Sequence, residues 1–266
     1  MKGKYLFFTD THLNRVSPWT KYRFIKNILN EDPAGMFITG DISNGLMLIL
    51  DLEILAYFIK CPIYFVLGNH DYNYSSIDNI HNKIRNLCKK YSNLIWLTES
   101  EIVPLSEEVA LIGVEGWYDA KIGNPNLLKF TTDWLLIEDF RKLHSLSERI
   151  EAFRELSNKS CEIIEKKLNQ ALELDYKTIY ILTHFPCWKE STRDEGTLLE
   201  PFWLPYNTNI KLGQTIENIM KDLKRRNVTV LSGHSHCSTY IRVSRNIDCW
   251  VGRPNALISN LQKIFI

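Results

Sequence analysis

Five short apolar runs in this chain each stop at side chains able to hold a metal ion, and no other feature constrains its fold so tightly. "KYLFF" (4–8) leads to Asp10 and His12, "GMFIT" (35–39) to Asp41, and "IYFVL" (63–67) to Asn69, His70 and Asp71. "KTIYIL" (177–182) leads to His184, and "VTVLS" (228–232) to His234 and His236. Apolar runs of this length, bounded by Gly, Asn and Asp, read as buried strands. Helical patterns over 18–30, 46–59 and 76–91 alternate with the first three runs, and 93–97 is again extended. Pro18 stands early in the first helix, where its missing amide hydrogen does least harm. This alternation predicts an α/β layered domain with a largely buried sheet. Ligands of such a sheet collect outside the carboxyl ends of its strands, so the five strand ends are expected to converge on one site. Glycine precedes the polar residue in three of these turns, which lets the backbone approach a ligand closely.

Imidazoles and carboxylates are what divalent transition metals select. The set is too large for one tetrahedral ion and suits two ions that share a bridging carboxylate. Taken singly, each element reads as a capped turn, because Gly, Asn and Asp are turn residues. Five such turns, all at strand ends, are not explained that way. His234 and His236 are two positions apart, so in an extended segment they share a side and can both face one dinuclear centre.

The rest of the chain sets bounds. A length of 266 residues and an apolar content of 45% are enough for a sizeable core. The expectation is a single domain over 1–266 with a helical insertion at about 132–174. A hairpin is expected over 101–116, a loop without clear period over 185–210, a helix over 212–226, and a final strand pair near 239–243 and 247–251. The net charge of +1 argues against a long phosphate-backbone interface, so an extended duplex nucleic acid is not an expected partner. The six cysteines form no C-x-x-C pair and read as reduced thiols. The first apolar stretch is too short for a signal peptide, and no window is long enough for a membrane span. A soluble cytoplasmic protein without a membrane partner is expected.

The ordered pattern D-x-H (Asp10, His12), G-D (Asp41), G-N-H-D (Asn69, His70), lone His184 and G-H-x-H (His234, His236) resembles that of the calcineurin-like metallophosphoesterases, over residues 10 to 236. The resemblance implies a four-layer α/β/β/α sandwich with a two-metal centre on the sheet edge. It implies one ion held by Asp10, His12, Asp41 and His236, and a second by Asp41, Asn69, His184 and His234, with Asp41 as the bridge. His70 would stand beside the scissile group without binding metal, and Asn69 would turn its amide toward substrate oxygen. Two such ions, about 3.5–4 Å apart, clamp an in-line displacement at phosphorus, with a hydroxide between them as nucleophile. The catalytic set is then His70, Asn69 and Asp41. Manganese is the first expectation for the two divalent ions, from the mixed carboxylate, amide and imidazole donors, with iron or zinc next.

The second motif reads "GDISNG", with Asn44 and no Arg, where the protein Ser/Thr phosphatases of this superfamily carry G-D-x-x-D-R-G. That departure points away from protein phosphatases. The expected substrate is a phosphodiester, a nucleotide or a nucleic-acid end. The alternatives are a phosphomonoesterase on a small molecule and a non-catalytic binding module that keeps the fold. The 185–210 loop carries Trp188, Trp203, Lys189 and Arg193, and "EGWYD" adds Trp117 and Tyr118. These suit base stacking and phosphate binding, and they equally suit plain loop packing. Lys224, Arg225 and Arg226 are expected at a helix C-terminus, where the dipole favours cations without any partner.

Overall fold

The computed structural model describes residues 3–126, 131–194, 197–198, 204–254 and 262–266. Its first sheet holds four parallel strands in sequence order: β1 (Lys4–Phe8), β2 (Gly35–Thr39), β3 (Ile63–Val66) and β4 (Leu94–Trp96). Helices α1 (Pro18–Glu31), α2 (Leu48–Phe58) and α3 (Ile77–Lys90) make the crossovers. Ser17 and Ser76 cap α1 and α3 by accepting from Thr20 N and Asn79 N, so each helix starts where the sequence supplies an oxygen for its orphan amides.

The second sheet runs in the order β11-β12-β10-β7-β6-β5. Strands β6 (Val109–Gly113), β7 (Thr178–Leu182), β10 (Asn227–Ser232) and β12 (Ile247–Val251) are parallel. The edges β5 (Val103–Pro104) and β11 (Thr239–Ser244) pair antiparallel, as the expected hairpin and final strand pair require. A small pair, β8 (Arg193–Asp194) with β9 (Thr197–Leu198), lies in the long loop that was read as structureless.

Strand alternation divides the buried residues among three cores. On β1, Leu6 and Phe8 face the α1–α3 layer, while Tyr5 and Phe7 face the other sheet. Met36 and Ile38 of β2 likewise separate from Phe37. On the second sheet Ile179 and Ile181 face the outer helices, and Leu182 and Leu231 face inward. Both sheets are therefore covered on both sides, which is why their strands read as continuous apolar runs. The result is the four-layer α/β/β/α order, with the five polar strand ends all at one end of the paired sheets.

Helices α4 (Asp133–Leu136), α5 (Glu138–Arg141) and α6 (Leu146–Glu173) fill the expected 132–174 region. Phe153, early in α6, joins an aromatic cluster with Trp117, Tyr118 and Phe140. Cys161, Ile164, Leu168 and Ala171 of the same helix pack on the second sheet beside α7 (Ile210–Met220). The helix expected over 212–226 ends at Met220 instead. There Asn246 Nδ2 donates to the carbonyls of Met220 and Leu223 at 3.0 and 2.9 Å and takes over the capping. Arg226 consequently lies between a turn and β10 and donates to the Asp175 and Tyr176 carbonyls at 3.0 and 3.1 Å. Strand β13 (Gln262–Phe265) was not anticipated; it pairs antiparallel with β1 and covers that edge. Among the described residues no helix is long and apolar enough to cross a membrane.

Phe37 is fully buried between the sheets and stacks on Tyr5 with ring centroids 4.9 Å apart. Phe37→Ala is expected to destabilise the fold by about 3–5 kcal/mol. Urea denaturation would show this as a lower midpoint at unchanged m-value.

Candidate metal centre

The turns after β1, β2 and β3 bring Asp10, His12, Asp41 and Asn69 from the first sheet. The turns after β7 and β10 bring His184, His234 and His236 from the second. Five of these residues adopt left-handed backbone conformations: Asp10 (φ 50°), His12 (φ 40°), Asp41 (φ 50°), His234 (φ 62°) and His236 (φ 57°). Non-glycine residues seldom adopt this region, and such strain gathers where function fixes the backbone. Gly68 has no room for a side chain, since a Cβ would lie 2.2 Å from Asp41 Oδ1.

Two groups of donor atoms form around Asp41. Asp10, His12 and His236 make one, and Asp41, His184 and His234 the other, each with its ligand atoms within 4.8 Å of one another. Asp41 stands between them: Oδ1 is 3.5 Å from His184 Nε2, and Oδ2 is 3.9 Å from His12 Nε2. Its Oδ1 also accepts the amide hydrogen of His70 at 2.9 Å.

The hydrogen bonds behind the second group decide what its atoms offer. His184 Nδ1 lies 2.7 Å from the Thr39 carbonyl, and a carbonyl only accepts, so the proton is on Nδ1 and Nε2 is bare. His234 Nε2 faces the Tyr206 carbonyl at 2.9 Å, which leaves its Nδ1 bare by the same argument. Asn69 Nδ2 donates to Asp133 Oδ1 at 2.9 Å, so Asn69 Oδ1 is the end turned inward. These acceptors converge: His184 Nε2 is 3.2 Å from His234 Nδ1 and 3.2 Å from Asn69 Oδ1. No proton is placed to lie between them, and lone pairs packed this closely call for a cation.

The first group tells the same way. Asp10 Oδ2 is engaged by Thr9 Oγ1 at 2.6 Å and His234 N at 3.0 Å, whereas the buried Oδ1 has no hydrogen bond and lies 3.2 Å from His236 Nε2. Burial holds His12 down to about 3 and His234 well below the ordinary imidazole range, so both rings are neutral, as ligation requires. Burial raises the Asp41 carboxyl, with neighbouring Asp10 and Asp71 adding to it and His184 opposing. A divalent cation reverses that direction by stabilising the carboxylate. The residues present thus fit a two-ion site.

His70 is brought to the rim with Nε2 3.9 Å from Asp41 Oδ2. Asn73 Nδ2 lies 2.9 Å from His70 Nδ1 and can only donate, which places the ring proton on Nε2, the end facing the centre. Nothing in the local sequence pattern marks Asn73 as the orienting partner of His70. Sequence reading also missed Asp133, whose Oδ2 accepts from the Tyr118 hydroxyl at 3.1 Å while Oδ1 holds Asn69. Asp71 lies behind the site, accepting from Gly68 N and Ser43 N at 2.9 and 2.8 Å, and burial pushes it up to about 7.

The aromatics divide differently from a stacking platform. Trp117 and Tyr118 are buried in the cluster around Phe153, and Trp188 is buried with its Nε1 donating to Glu217. These three are packing residues. Lys189 is exposed, and Trp203 and the side chain of Arg193 lie outside the described residues.

Fold and site together define a protein built to hold two metal ions at the seam of two α/β layers. The family model for calcineurin-like phosphoesterases matches residues 3–238, and the chain belongs to that family. It is accordingly a hydrolase acting on phosphate esters with a dinuclear divalent metal centre. An uncharacterized protein, L509, of Acanthamoeba polyphaga mimivirus is 28% identical over 223 residues, covering 77% of this chain and 74% of that one. Phosphopantetheinyl hydrolase from Mycobacterium tuberculosis superposes with a TM-score of 0.63 at 12% identity, over 95% of this chain and 90% of that one. A dimetal phosphatase from Danio rerio gives 0.59 at 9% identity, over 94% and 87%. At these identities the two structures show likeness of fold.

Asp133→Ala is expected to weaken metal affinity by about 10–100-fold, the usual effect of losing a group that orients a ligand. Manganese titration followed by calorimetry would measure it, and an affinity equal to the unaltered chain's would remove Asp133 from this role.

Proposed function

We propose that this chain is a phosphodiesterase that uses two manganese ions. The observation that carries the reading is the arrangement of space around His70. A cavity of about 520 Å³ opens over Asp41, Asn69, His234 and His236, and a second of about 240 Å³ lies toward Arg15 and Tyr74; His70 lines both. A diester has an arm on each side of phosphorus, and this site has room on each side of the residue next to it. The larger cavity is lined by Asp41 and Asp133 and, among the described residues, by no Lys or Arg. That lining suits the single charge of a diester better than the double charge of a monoester. Cavities of this combined size admit a nucleotide.

When bound, the two ions supply Lewis acidity and a nucleophile derived from water at neutral pH. In this reading Asp10, His12, Asp41 and His236 hold one ion, and Asp41, Asn69, His184 and His234 the other. The chain's own residues do the rest. Asp133 and Tyr118 fix the Asn69 amide, Thr39 and Tyr206 fix the tautomers of His184 and His234, and Asn73 fixes that of His70. His70 Nε2–H then donates to the departing ester oxygen. The six free cysteines suit a reducing cytoplasm, and a small phosphorylated substrate suits the enclosed site.

With manganese, bis-p-nitrophenyl phosphate is expected to be cleaved faster than p-nitrophenyl phosphate, with Asp41→Ala inactive on both. Faster cleavage of the monoester would turn the reading to a phosphatase, and inactivity with manganese, iron and zinc alike would favour a binding module. His70→Ala is expected to lower kcat by about 10²-fold or more while both ions are retained. Metal analysis of that variant is the check, since loss of metal would make His70 a ligand instead.

A further inference from the structure

The smaller cavity differs in character from the larger one. Among the described residues no carboxylate lines it, and its one Lys or Arg is Arg15, from the turn that follows His12. Among the described residues the exposed Arg15 guanidinium makes no ion pair or hydrogen bond. Asn44 is fixed in the same cavity: its Oδ1 accepts from Met47 N at 3.0 Å, which leaves its Nδ2 as a donor with no acceptor among the described residues. Tyr74 is exposed at the rim with its backbone held at φ 68°, a conformation rare for an aromatic residue. A guanidinium and an amide donor, both without acceptors among the described residues and with no carboxylate between them, form a site for an oxyanion.

We propose that this cavity binds a second phosphate, so that the substrate is a phosphodiester whose leaving alcohol itself carries a phosphate. The inference rests on the phosphodiesterase reading, which puts one ester arm in each of the two cavities that His70 lines, and it assigns the departing arm to the Arg15 cavity. Arg15 and Asn44 hold the second phosphate, and the Tyr74 ring is placed to cover a planar group attached to it. The substrate class is a nucleotide-like diester with a further terminal phosphate, and the product leaving past Arg15 is a phosphorylated alcohol.

Calorimetry on the full chain loaded with manganese tests this, using AMP and adenosine 3′,5′-bisphosphate as ligands. The bisphosphate is expected to bind at least about tenfold tighter than AMP, the factor contributed by one charge-assisted hydrogen bond. In Arg15→Ala the two ligands should bind within about twofold of each other, and Arg15→Lys should keep part of the difference. Arg23→Ala removes an equal charge from the exposed face of α1 and should keep the whole difference. Equal binding by the unaltered chain, or a preference that survives Arg15→Ala, overturns the subsite while leaving the phosphodiesterase reading intact. Failure of both nucleotides to bind the manganese-loaded chain overturns the reading and the subsite together.

Discussion

The structure depends on a carboxylate that the fold buries and cannot neutralise with its own groups. Asp41 is fully enclosed; its Oδ1 accepts from His70 N at 2.9 Å, and beyond that one amide its carboxylate faces the ring nitrogens of His184, His12 and His70 at 3.5, 3.9 and 3.9 Å, with no Lys or Arg paired to it among the described residues. An unpaired charge in such a place costs several kcal/mol, and the surrounding acceptors add repulsion. Only a cation reconciles the donors with one another. The hydrogen bonds behind the ligands all act in the same direction, since Thr39, Tyr206 and Asp133 each take the proton that would otherwise point inward.

Holding these groups together also costs backbone energy. Five of the candidate ligand residues sit in a region that disfavours any Cβ, at roughly 1–3 kcal/mol each. The three cores offset this: the strands that carry the ligands are among the most thoroughly buried segments of the chain, and their side chains interlock on both faces. Ion binding adds to the same balance by mass action, because it favours the folded chain alone. Rigidity of the sheets and strain at their ends are two sides of one arrangement.

Much of this was legible in the sequence because strands and metal ligands leave local marks. Alternation of apolar runs with helical periods placed β1–β3, β7 and β10 closely, and the polar residues just beyond them are the ones that the fold gathers into two candidate metal-binding groups. What escaped detection acts over long separations. Asp133 meets Asn69 across 64 positions and looks locally like any acid in the first turn of a short helix. β13 has only four residues and owes its conformation to the edge of β1. α7 stops early because Asn246, from the turn before β12, caps it. Asn73 is within three residues of His70, and its partnership depends on the one 3-10 turn that joins them. The aromatics of "EGWYD" were visible, but only burial distinguishes a packed ring from a stacking one.

The centre lies on the seam between the sheets, and its donors are divided by the chain itself. Asp10, His12, Asp41 and Asn69 precede residue 70, and His184, His234 and His236 follow residue 183. Neither portion carries the whole candidate set, so the site forms only when the two portions pack together. From the long stretch between them Asp133 holds the Asn69 amide, and the Glu115 carbonyl accepts from His184 N at 3.0 Å. Descendants of such a chain are free to rewrite that interval, and with it the walls of the cavity, while the two flanking portions stay bound to each other's spacing.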